Sequence, residues 1–126
     1  MKNAKILLVD DDIDLIGTVK AILETEQYTV ITANNKTQGM EKLHSEKPDL
    51  AILDVMMDTP KEGFEMAEEI RKDSNFKDLP ILILTALDEQ TKYFEQTIDW
   101  LPINGYIDKP VEPELLLKEV NKALSN

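Results

Sequence analysis

Cysteine is absent from this sequence of 126 residues, and long apolar stretches are absent with it. Without cysteine the chain cannot form disulfides, thiolate metal sites or a cysteine nucleophile. Near the amino terminus, only residues 6–9 are continuously apolar before an acidic cluster begins. A secretory signal needs a longer apolar region, and a membrane span needs about 20 such residues. We therefore expect a cytoplasmic protein that does not bind a membrane.

Basic side chains are also scarce: 14 lysines and arginines stand against 25 acidic residues, which gives a formal net charge of −11. Such a charge disfavours direct nucleic-acid binding but leaves room for cations and basic partner surfaces. Hydrophobic residues still make up 42% of the chain, a composition typical of a folded domain and not of a disordered acidic tail. The length suits one domain over residues 1–126, without a separate output domain.

Short apolar runs recur along the chain at residues 6–9, 50–53 and 81–84. Continuous apolar runs without polar alternation are typical of parallel strands that are buried on both faces. Weaker strand candidates lie at residues 29–32 and 105–108. The sequence thus predicts five strands.

Helical patterns separate these strands. Asp12 or Asp14 can cap a first helix, and residues 37–45 form a short second one, with a third before the fourth strand. Residues 88–100 are ambiguous, and a last helix begins with Pro113 in its first turn. Strict alternation of strands and helices predicts an α/β fold with a parallel sheet and helices on both faces.

Charged and hydroxyl side chains follow four of the predicted strands. The aspartates at residues 10–12 follow the first strand, Asp54 the third, Thr85 the fourth and Lys109 the fifth. Because binding sites in parallel sheets form at the carboxyl ends of the strands, we expect these side chains to meet. Clustered carboxylates require a counter-ion, and their hard oxygens suit Mg²⁺, with Mn²⁺ as a substitute.

A lysine and a hydroxyl beside a metal-bound carboxylate are the groups that phosphoryl transfer onto that carboxylate needs. The residues alone leave a plainer interpretation open. Asp12 and Asp14 also suit helix caps, Lys109 suits an exposed surface position, and Thr85 suits a helix cap or the end of a strand.

Four motifs in a fixed order match a known family: KILLVDDD at residues 5–12, PDLAILDVMM at 48–57, ILILTA at 81–86 and YIDKP at 106–110. Together they resemble the receiver domain of two-component response regulators, in the chemotaxis-regulator-like group, over essentially the whole chain. The resemblance implies a flavodoxin-like fold of five parallel strands in the order 2-1-3-4-5. It also implies a phosphorylation-switched signalling domain and not an enzyme that acts on a separate substrate.

The resemblance assigns Asp54 as the phosphoacceptor, which takes a phosphoryl group from a phosphohistidine of a sensor histidine kinase or a phosphotransfer protein. It also implies that Asp11, Asp54 and the backbone carbonyl of Met56 hold Mg²⁺, while Asp10 acts through a bound water. Lys109 would pair first with Asp54 and then with the phosphoryl group.

Thr85 and Tyr106 resemble the switch pair of the family. In that family the hydroxyl moves toward the phosphoryl group and the aromatic ring turns inward. The bond between Lys109 and Pro110 resembles the family's cis peptide. A downstream protein would bind the face formed by the fourth helix (within residues 88–100), the fifth strand and the last helix. The acting species would be a monomer or a phosphorylation-dependent dimer.

The sequence departs from the family pattern at three places. Asp58 stands where proline is usual, Pro60 follows it, and Gly63 comes later than usual, which indicates an insertion in this loop. The region of the fourth helix is longer than usual and includes Trp100. Val111 replaces the usual aromatic residue after the Lys-Pro pair, which we interpret as a conservative packing change.

Two other functions remain open at this point. A haloacid-dehalogenase-type, Mg²⁺-dependent phosphohydrolase would use Asp10 as its nucleophile, with Asp12 completing an Asp-x-Asp motif. It would leave Asp54 without a role, and 126 residues leave no space for a cap domain. An unphosphorylated interaction scaffold is the other alternative, although the presence of all acceptor-site residues argues against it. His44, the only histidine, is expected on the surface.

Overall fold

Strands and helices alternate through the parts of the chain that the structure, a computed structural model, describes: residues 3–55, 62–86 and 103–125. In order, these elements are β1 (Lys5–Val9), α1 (Ile13–Glu24), β2 (Thr29–Ala33), α2 (Lys36–Glu46), β3 (Leu50–Asp54), α3 (Glu62–Lys72), a short 3₁₀ helix (Ser74–Phe76), β4 (Ile81–Ala86), β5 (Gly105–Lys109) and α4 (Pro113–Leu124). Residues 88–100, whose helical pattern is ambiguous in the sequence, lie outside the described residues. The other predicted elements are confirmed.

The five strands form one parallel sheet in the order β2-β1-β3-β4-β5. This order confirms the predicted flavodoxin-like fold. The register places Asp54 beside Leu84 across β3 and β4, and Thr85 beside Asp108 across β4 and β5. Because all strands run in the same direction, their carboxyl ends meet at one edge of the sheet. We call this edge the carboxyl end of the sheet and the opposite edge its amino end.

Two hydrophobic cores cover the two faces of the sheet. One core joins alternate strand residues to α2 and α3, and its members include Leu7, Val9, Leu53, Ile81, Ile83, Leu43, Phe64, Ala67 and Ile70. The other joins the remaining strand residues to α1 and α4, and its members include Ile6, Leu8, Ile52, Leu82, Leu84, Val19, Leu23, Leu116 and Val120. Successive strand side chains point to opposite faces, and both faces are covered. The strands are therefore continuously apolar, as parallel strands in such a fold are.

The helices begin where the sequence supplies suitable first-turn residues. The Asp12 carboxylate caps α1 by accepting hydrogen bonds from the backbone nitrogens of Asp14 and Leu15 at 3.1 and 3.2 Å. Asp12 is thus the cap, and Asp14 lies in the first turn, where its negative charge favours the helix dipole. Pro113 begins α4, as predicted. Within the described parts of the chain, no helix combines the length and apolar character needed to cross a bilayer.

The ends of β4 and β5 extend beyond the predicted ones. β4 continues to Ala86 and β5 to Lys109, so Thr85 and Lys109 are strand residues and do not follow the strands. The register pairs Thr85 with Asp108, and Ala86 with Lys109. Pairing between polar residues at the end of a strand leaves no apolar pattern, so the sequence could not reveal it.

The start of α3 approaches the end of β3 most closely at Gly63. A Cβ atom added to Gly63 would lie 2.1 Å from the carbonyl oxygen of Asp54, which is far inside the contact distance of the two atoms. The Gly63 nitrogen also donates a hydrogen bond to the Val55 carbonyl at 3.1 Å. Glycine is therefore required for this close approach, which anchors α3 beside the end of β3.

Candidate functional site

Asp10, the residue after β1, is fully buried, and its two carboxylate oxygens have different partners. Oδ1 accepts a hydrogen bond from the Asp12 nitrogen at 2.9 Å, which shapes the turn into α1. Oδ2 has no hydrogen-bond partner among the described residues, but it faces the Lys109 ammonium at 3.4 Å. Asp10 is thus held by its backbone turn, with one oxygen directed at the carboxyl end of the sheet.

Asp54 ends β3 and is buried. Its Oδ1 accepts a hydrogen bond from Lys109 Nζ at 2.9 Å. Burial raises the pKa of Asp54 to about 6, and the negative charge of Asp10 adds to the rise, while the hydrogen bond from Lys109 opposes it. Two buried carboxylates therefore repel each other here, and one lysine offsets only part of that repulsion.

Lys109, the last residue of β5, connects these two carboxylates. Its ammonium lies 2.9 Å from Asp54 Oδ1 and 3.4 Å from Asp10 Oδ2. Burial lowers the pKa of Lys109, but the hydrogen bond to Asp54 and the charges of both aspartates outweigh burial and raise it above its usual value. Lys109 is therefore a fixed positive charge at the site.

A third carboxylate completes an acidic cluster. Oxygens of Asp10, Asp11 and Asp54 lie within 4.8 Å of one another, and Asp11 is exposed whereas the other two are buried. Hard carboxylate oxygens at this spacing suit Mg²⁺ or Mn²⁺, which also keep water ligands on an exposed side. The buried Asp10 Oδ2, which no donor among the described residues satisfies, is a further observation that fits a cation at this position.

The two predicted switch residues lie on neighbouring strands. Thr85 is partly buried in β4, directly after Leu84, the register partner of Asp54. Tyr106 lies in β5 with 47% of its surface exposed, so its ring is directed outward in this structure. The structure therefore places Thr85 on the strand that pairs with the strand of Asp54 and leaves the Tyr106 ring at the surface.

Other predicted features divide between confirmed ones and ones that the structure does not describe. The peptide bond between Lys109 and Pro110 is cis, as the resemblance implies. Val111 packs against the core beneath α1 and α4, in agreement with its predicted packing role. The following predicted residues lie outside the described part of the chain: Met56, Asp58, Pro60 and Trp100.

Comparison with known proteins identifies the family. The family model of the response regulator receiver domain matches residues 6–121. This chain belongs to that family. The matched range contains the acidic cluster, Thr85 and Lys109, so the predicted class of two-component signalling domain is confirmed. Nothing in these comparisons supports the dehalogenase-type phosphohydrolase that Asp10 and Asp12 suggested.

Individual relatives of this receiver domain differ in length. The alkaline phosphatase synthesis transcriptional regulatory protein PhoP of Bacillus subtilis is 38% identical over 121 residues, which cover 94% of this chain and 46% of PhoP. Protein PilH of Pseudomonas aeruginosa is 32% identical over 125 residues, which cover 97% of this chain and 98% of PilH. The solved structure of the chemotaxis response regulator CheY4 of Vibrio cholerae has a TM-score of 0.84 and 34% identity, covering 96% of this chain and 98% of CheY4. This chain thus spans about half of PhoP and nearly all of PilH and CheY4.

Asp108 is a residue of this receiver domain to which sequence analysis gave no role. It lies in β5 opposite Thr85. Its Oδ1 is buried and has no hydrogen-bond partner among the described residues. The signal was present as a charged residue inside the short strand at residues 105–108. Its neighbour in the register could not be known without the pairing of β4 and β5.

Proposed function

We propose that this receiver domain accepts a phosphoryl group on Asp54 from a phosphohistidine of a sensor histidine kinase or a histidine phosphotransfer protein. The observation that carries the proposal is the 2.9 Å hydrogen bond from Lys109 Nζ to Asp54 Oδ1, inside a cluster of aspartates whose oxygens lie within 4.8 Å of one another. A buried carboxylate with a fixed ammonium group and a cation-binding cluster beside it suits the transfer of a highly charged group.

The transfer forms a bond between an Asp54 carboxylate oxygen and phosphorus and breaks the phosphorus–nitrogen bond of the phosphohistidine. The imidazole leaves with the bonding electron pair and takes up a proton from solvent. Asp54 must be ionised to attack, and its pKa of about 6 leaves most of it ionised at neutral pH. Lys109 holds the carboxylate in place and offsets the negative charge that the phosphoryl group brings.

We assign the cation site to Asp11, Asp54 and the backbone carbonyl of Met56, with Asp10 acting through a water molecule. When bound, Mg²⁺ or Mn²⁺ would neutralise phosphoryl oxygens during transfer. Asp10 suits the indirect role because one of its oxygens holds the Asp12 nitrogen and the other faces Lys109. Asp11 suits direct ligation because it is exposed and reaches both the cluster and solvent.

Phosphorylation would then change the surface through Thr85 and Tyr106. The phosphoryl group adds a charge of about −1.5 to −2 and three acceptor oxygens, and the Thr85 hydroxyl donates to one of them. The Tyr106 ring is exposed in the unphosphorylated structure. It turns inward after phosphorylation. The result is a population shift of the face formed by β5 and by the helix predicted within residues 88–100, which differs from α4. A downstream protein binds this face.

The proposal predicts a covalent adduct that depends on one residue. We expect incubation with Mg²⁺ and acetyl phosphate to add the mass of one phosphoryl group, in a bond that is stable to acid and labile to base. Asp54→Asn should abolish this adduct, with retained folding checked by circular dichroism. Asp10→Asn should reduce it without abolishing it.

The same experiment separates the alternatives. Loss of the adduct in Asp10→Asn together with its retention in Asp54→Asn would contradict our assignment and support the hydrolase. No adduct in the parent protein, with Mg²⁺ present, would favour the unphosphorylated interaction scaffold. In the signalling function, the chemistry of this domain is limited to gaining and losing its own phosphoryl group.

A further inference from the structure

The side chain of Asn104, the residue before β5, is held by two other elements of the fold. Its Oδ1 accepts hydrogen bonds from the Ile81 nitrogen at 2.8 Å and from a guanidinium nitrogen of Arg71 at 3.3 Å. The backbone nitrogen of Asn104 also donates to the Ile81 carbonyl at 2.8 Å. The side-chain amide is therefore fixed in one orientation at the amino end of the sheet, although the residue itself is exposed.

The next residue makes this asparagine chemically distinct. Asn104 is followed by Gly105, and none of the other asparagines in the sequence precedes a glycine. Glycine has no side chain to shield its backbone nitrogen or to restrict the backbone around it. The Gly105 nitrogen is therefore a suitable nucleophile for the side-chain carbonyl carbon of Asn104 when that carbonyl group turns toward it.

We propose that Asn104 is a site of spontaneous deamidation and that Arg71 is a positioning residue that restrains the reaction. The Gly105 nitrogen loses its proton and forms a bond to the side-chain carbonyl carbon of Asn104. The bond from that carbon to Nδ2 breaks, and this nitrogen takes up a proton and leaves as ammonia. Water then opens the succinimide ring at either carbonyl, which gives aspartate or isoaspartate at residue 104.

The hydrogen bonds of Asn104 Oδ1 oppose this reaction because ring closure displaces the whole amide group. The carbonyl carbon must move from non-bonded contact to a covalent distance from the Gly105 nitrogen, and it must change from planar to tetrahedral. The donors of Ile81 and Arg71 hold the planar amide where it is. The reaction therefore proceeds in molecules whose amino end has opened locally, and its rate follows the population of that open state.

The two products differ in their effect on the fold. Aspartate keeps an acceptor oxygen for the Ile81 nitrogen and gives Arg71 an ionised partner. Isoaspartate adds a methylene group to the backbone between the hydrogen bond to the Ile81 carbonyl and the pairing of Gly105 with Leu82. We therefore expect isoaspartate, but not aspartate, to disturb the start of β5.

The experiment follows residue 104 by peptide mass mapping while the protein is incubated in mildly alkaline buffer. Conversion replaces the amide NH₂ by a hydroxyl group and so changes the peptide mass, and chromatography against Asn104→Asp separates isoaspartate from aspartate. We expect the folded parent to convert at least about ten-fold more slowly than the same chain unfolded in urea. In the unfolded chain, Gly105→Ala should convert more slowly than the parent, because its methyl group shields the nitrogen.

Arg71→Met tests the restraint, because it keeps an apolar stem and removes the guanidinium donor. We expect folded Arg71→Met to convert about ten-fold faster than the folded parent, which corresponds to one hydrogen bond from a charged group. Arg71→Lys keeps the charge without the planar fork and should give an intermediate rate.

Val19→Ala is the matched control for a general loss of stability. Val19 is buried beneath α1, in the core on the opposite face of the sheet, so this substitution does not touch the hydrogen bonds of Asn104. A low concentration of urea brings the control and Arg71→Met to the same free energy of unfolding. Under those conditions we expect the control to convert more slowly than Arg71→Met.

Each outcome decides the inference. Slow conversion in the folded parent, with faster conversion in Arg71→Met than in the control, supports it. Absence of conversion in the unfolded chain overturns the site, and equal rates in the folded parent and the unfolded chain overturn the restraint. Conversion in Arg71→Met that is no faster than in the parent, or no faster than in the control, overturns the role of Arg71.

Discussion

At the carboxyl end of the sheet, Asp10 and Asp54 bury two carboxylates around one lysine, whereas at the amino end Arg71 and Asn104 form a network of hydrogen bonds. Asp10 Oδ2 has no hydrogen-bond partner within the described ranges. The pKa of Asp54 is raised to about 6 by burial and by Asp10. The carboxyl end thus combines buried negative charges that Lys109 compensates only in part.

The amino end satisfies its polar groups with neighbours from several elements. Arg71, in the last turn of α3, donates to the Phe76 carbonyl at 3.1 Å and to Asn104 Oδ1 at 3.3 Å. The same oxygen accepts from the Ile81 nitrogen at 2.8 Å. Burial lowers the pKa of Arg71, and the charge of Asp78 opposes that change. These bonds join α3, the 3₁₀ helix, β4 and the segment before β5.

The two ends differ in how well their buried polar groups are satisfied by neighbouring residues. Among the described residues, the buried carboxylate oxygens without a hydrogen-bond partner belong to Asp10 and Asp108, and both residues lie near the carboxyl end of the sheet, where a cation and a phosphoryl group are proposed to bind. If this is correct, removing a polar group should destabilise the amino end and stabilise the carboxyl end. Substitutions at each end can test this opposition, and a substitution at the start of α3 tests the packing of that helix against the end of β3.

The largest effect is expected from Gly63→Ala. Its methyl group would meet the backbone of Asp54 at 2.1 Å, so α3 or β3 must move, and we expect a loss of about 3 kcal/mol in the free energy of unfolding. Gly17→Ala is the matched control, because an added Cβ there meets nothing within 4 Å. Removing that glycine from an exposed helix should stabilise the domain by about 0.5–1 kcal/mol. Urea unfolding measures both, and equal effects would contradict the packing argument.

Asn104→Ala is expected to destabilise the amino end by about 1–2 kcal/mol, because it leaves the Ile81 nitrogen and one Arg71 nitrogen without their acceptor. Asn104→Asp retains an acceptor oxygen in the same place. It should preserve most of the stability in the same urea measurement. A loss as large in the aspartate variant would show that the hydrogen bonds are not the cause.

Asp54→Asn is expected to have the opposite sign and to stabilise the domain by about 1–2 kcal/mol at neutral pH in metal-free buffer. The folded protein raises the pKa of this carboxyl. Its stabilising contribution is therefore complete below the unfolded pKa and is lost as the pH rises through about 6. Asparagine does not ionise, so the Asp54→Asn variant does not lose this stability as the pH rises.

Mg²⁺ should reduce the difference between the two proteins. A cation that binds the folded parent stabilises it by mass action, and the variant lacks one proposed ligand. Thermal unfolding with and without Mg²⁺ measures this difference. If the variant were less stable than the parent without metal, the acidic cluster would not be a source of instability.

His44 is expected to give the smallest effect, about 0.5 kcal/mol, because exposed ion pairs contribute little. Its Nδ1 lies 2.8 Å from the Met40 carbonyl oxygen and its Nε2 lies 2.9 Å from Asp73 Oδ2. Both partners are acceptors, so the doubly protonated ring fits best. The hydrogen bond to Met40, then the one to Asp73, raises the pKa of His44 above 6.5.

The sign of the His44 effect follows from that shift. Its contribution is complete below the unfolded pKa of 6.5 and is lost as the pH rises through the higher pKa of the folded protein. His44→Gln should therefore lower stability at pH 5.5 and have little effect at pH 8.5. Asp54 titrates over a similar pH range in both proteins. The measurement is therefore the difference in the free energy of unfolding between the parent and His44→Gln, obtained from urea unfolding at each pH. A difference that does not change with pH would exclude a charged His44.

Much of the fold could be predicted because its signals are local. Residues 6–9, 50–53 and 81–84 are apolar throughout, as strands buried on both faces require. Asp12 and Pro113 marked helix starts by their own chemistry. The strand order and the cis bond before Pro110 came from the family resemblance, since no local pattern specifies them.

The features that sequence analysis missed are all contacts between distant segments. Gly63 was noted for its spacing, but its approach to the Asp54 carbonyl depends on how α3 packs on β3. Asp108 lies opposite Thr85 because of the register between β4 and β5, which the sequence does not reveal. His44 is exposed, as expected, yet its bridge to Asp73 joins residues that are far apart in the chain.

The absence of a side chain at residue 63 also limits how this loop can vary. The methylene hydrogens of Gly63 occupy the space beside the peptide group of Asp54. Another amino acid there would require α3 to move away from the end of β3. Changes that keep the present path of the chain into α3 therefore cannot include a side chain at this position.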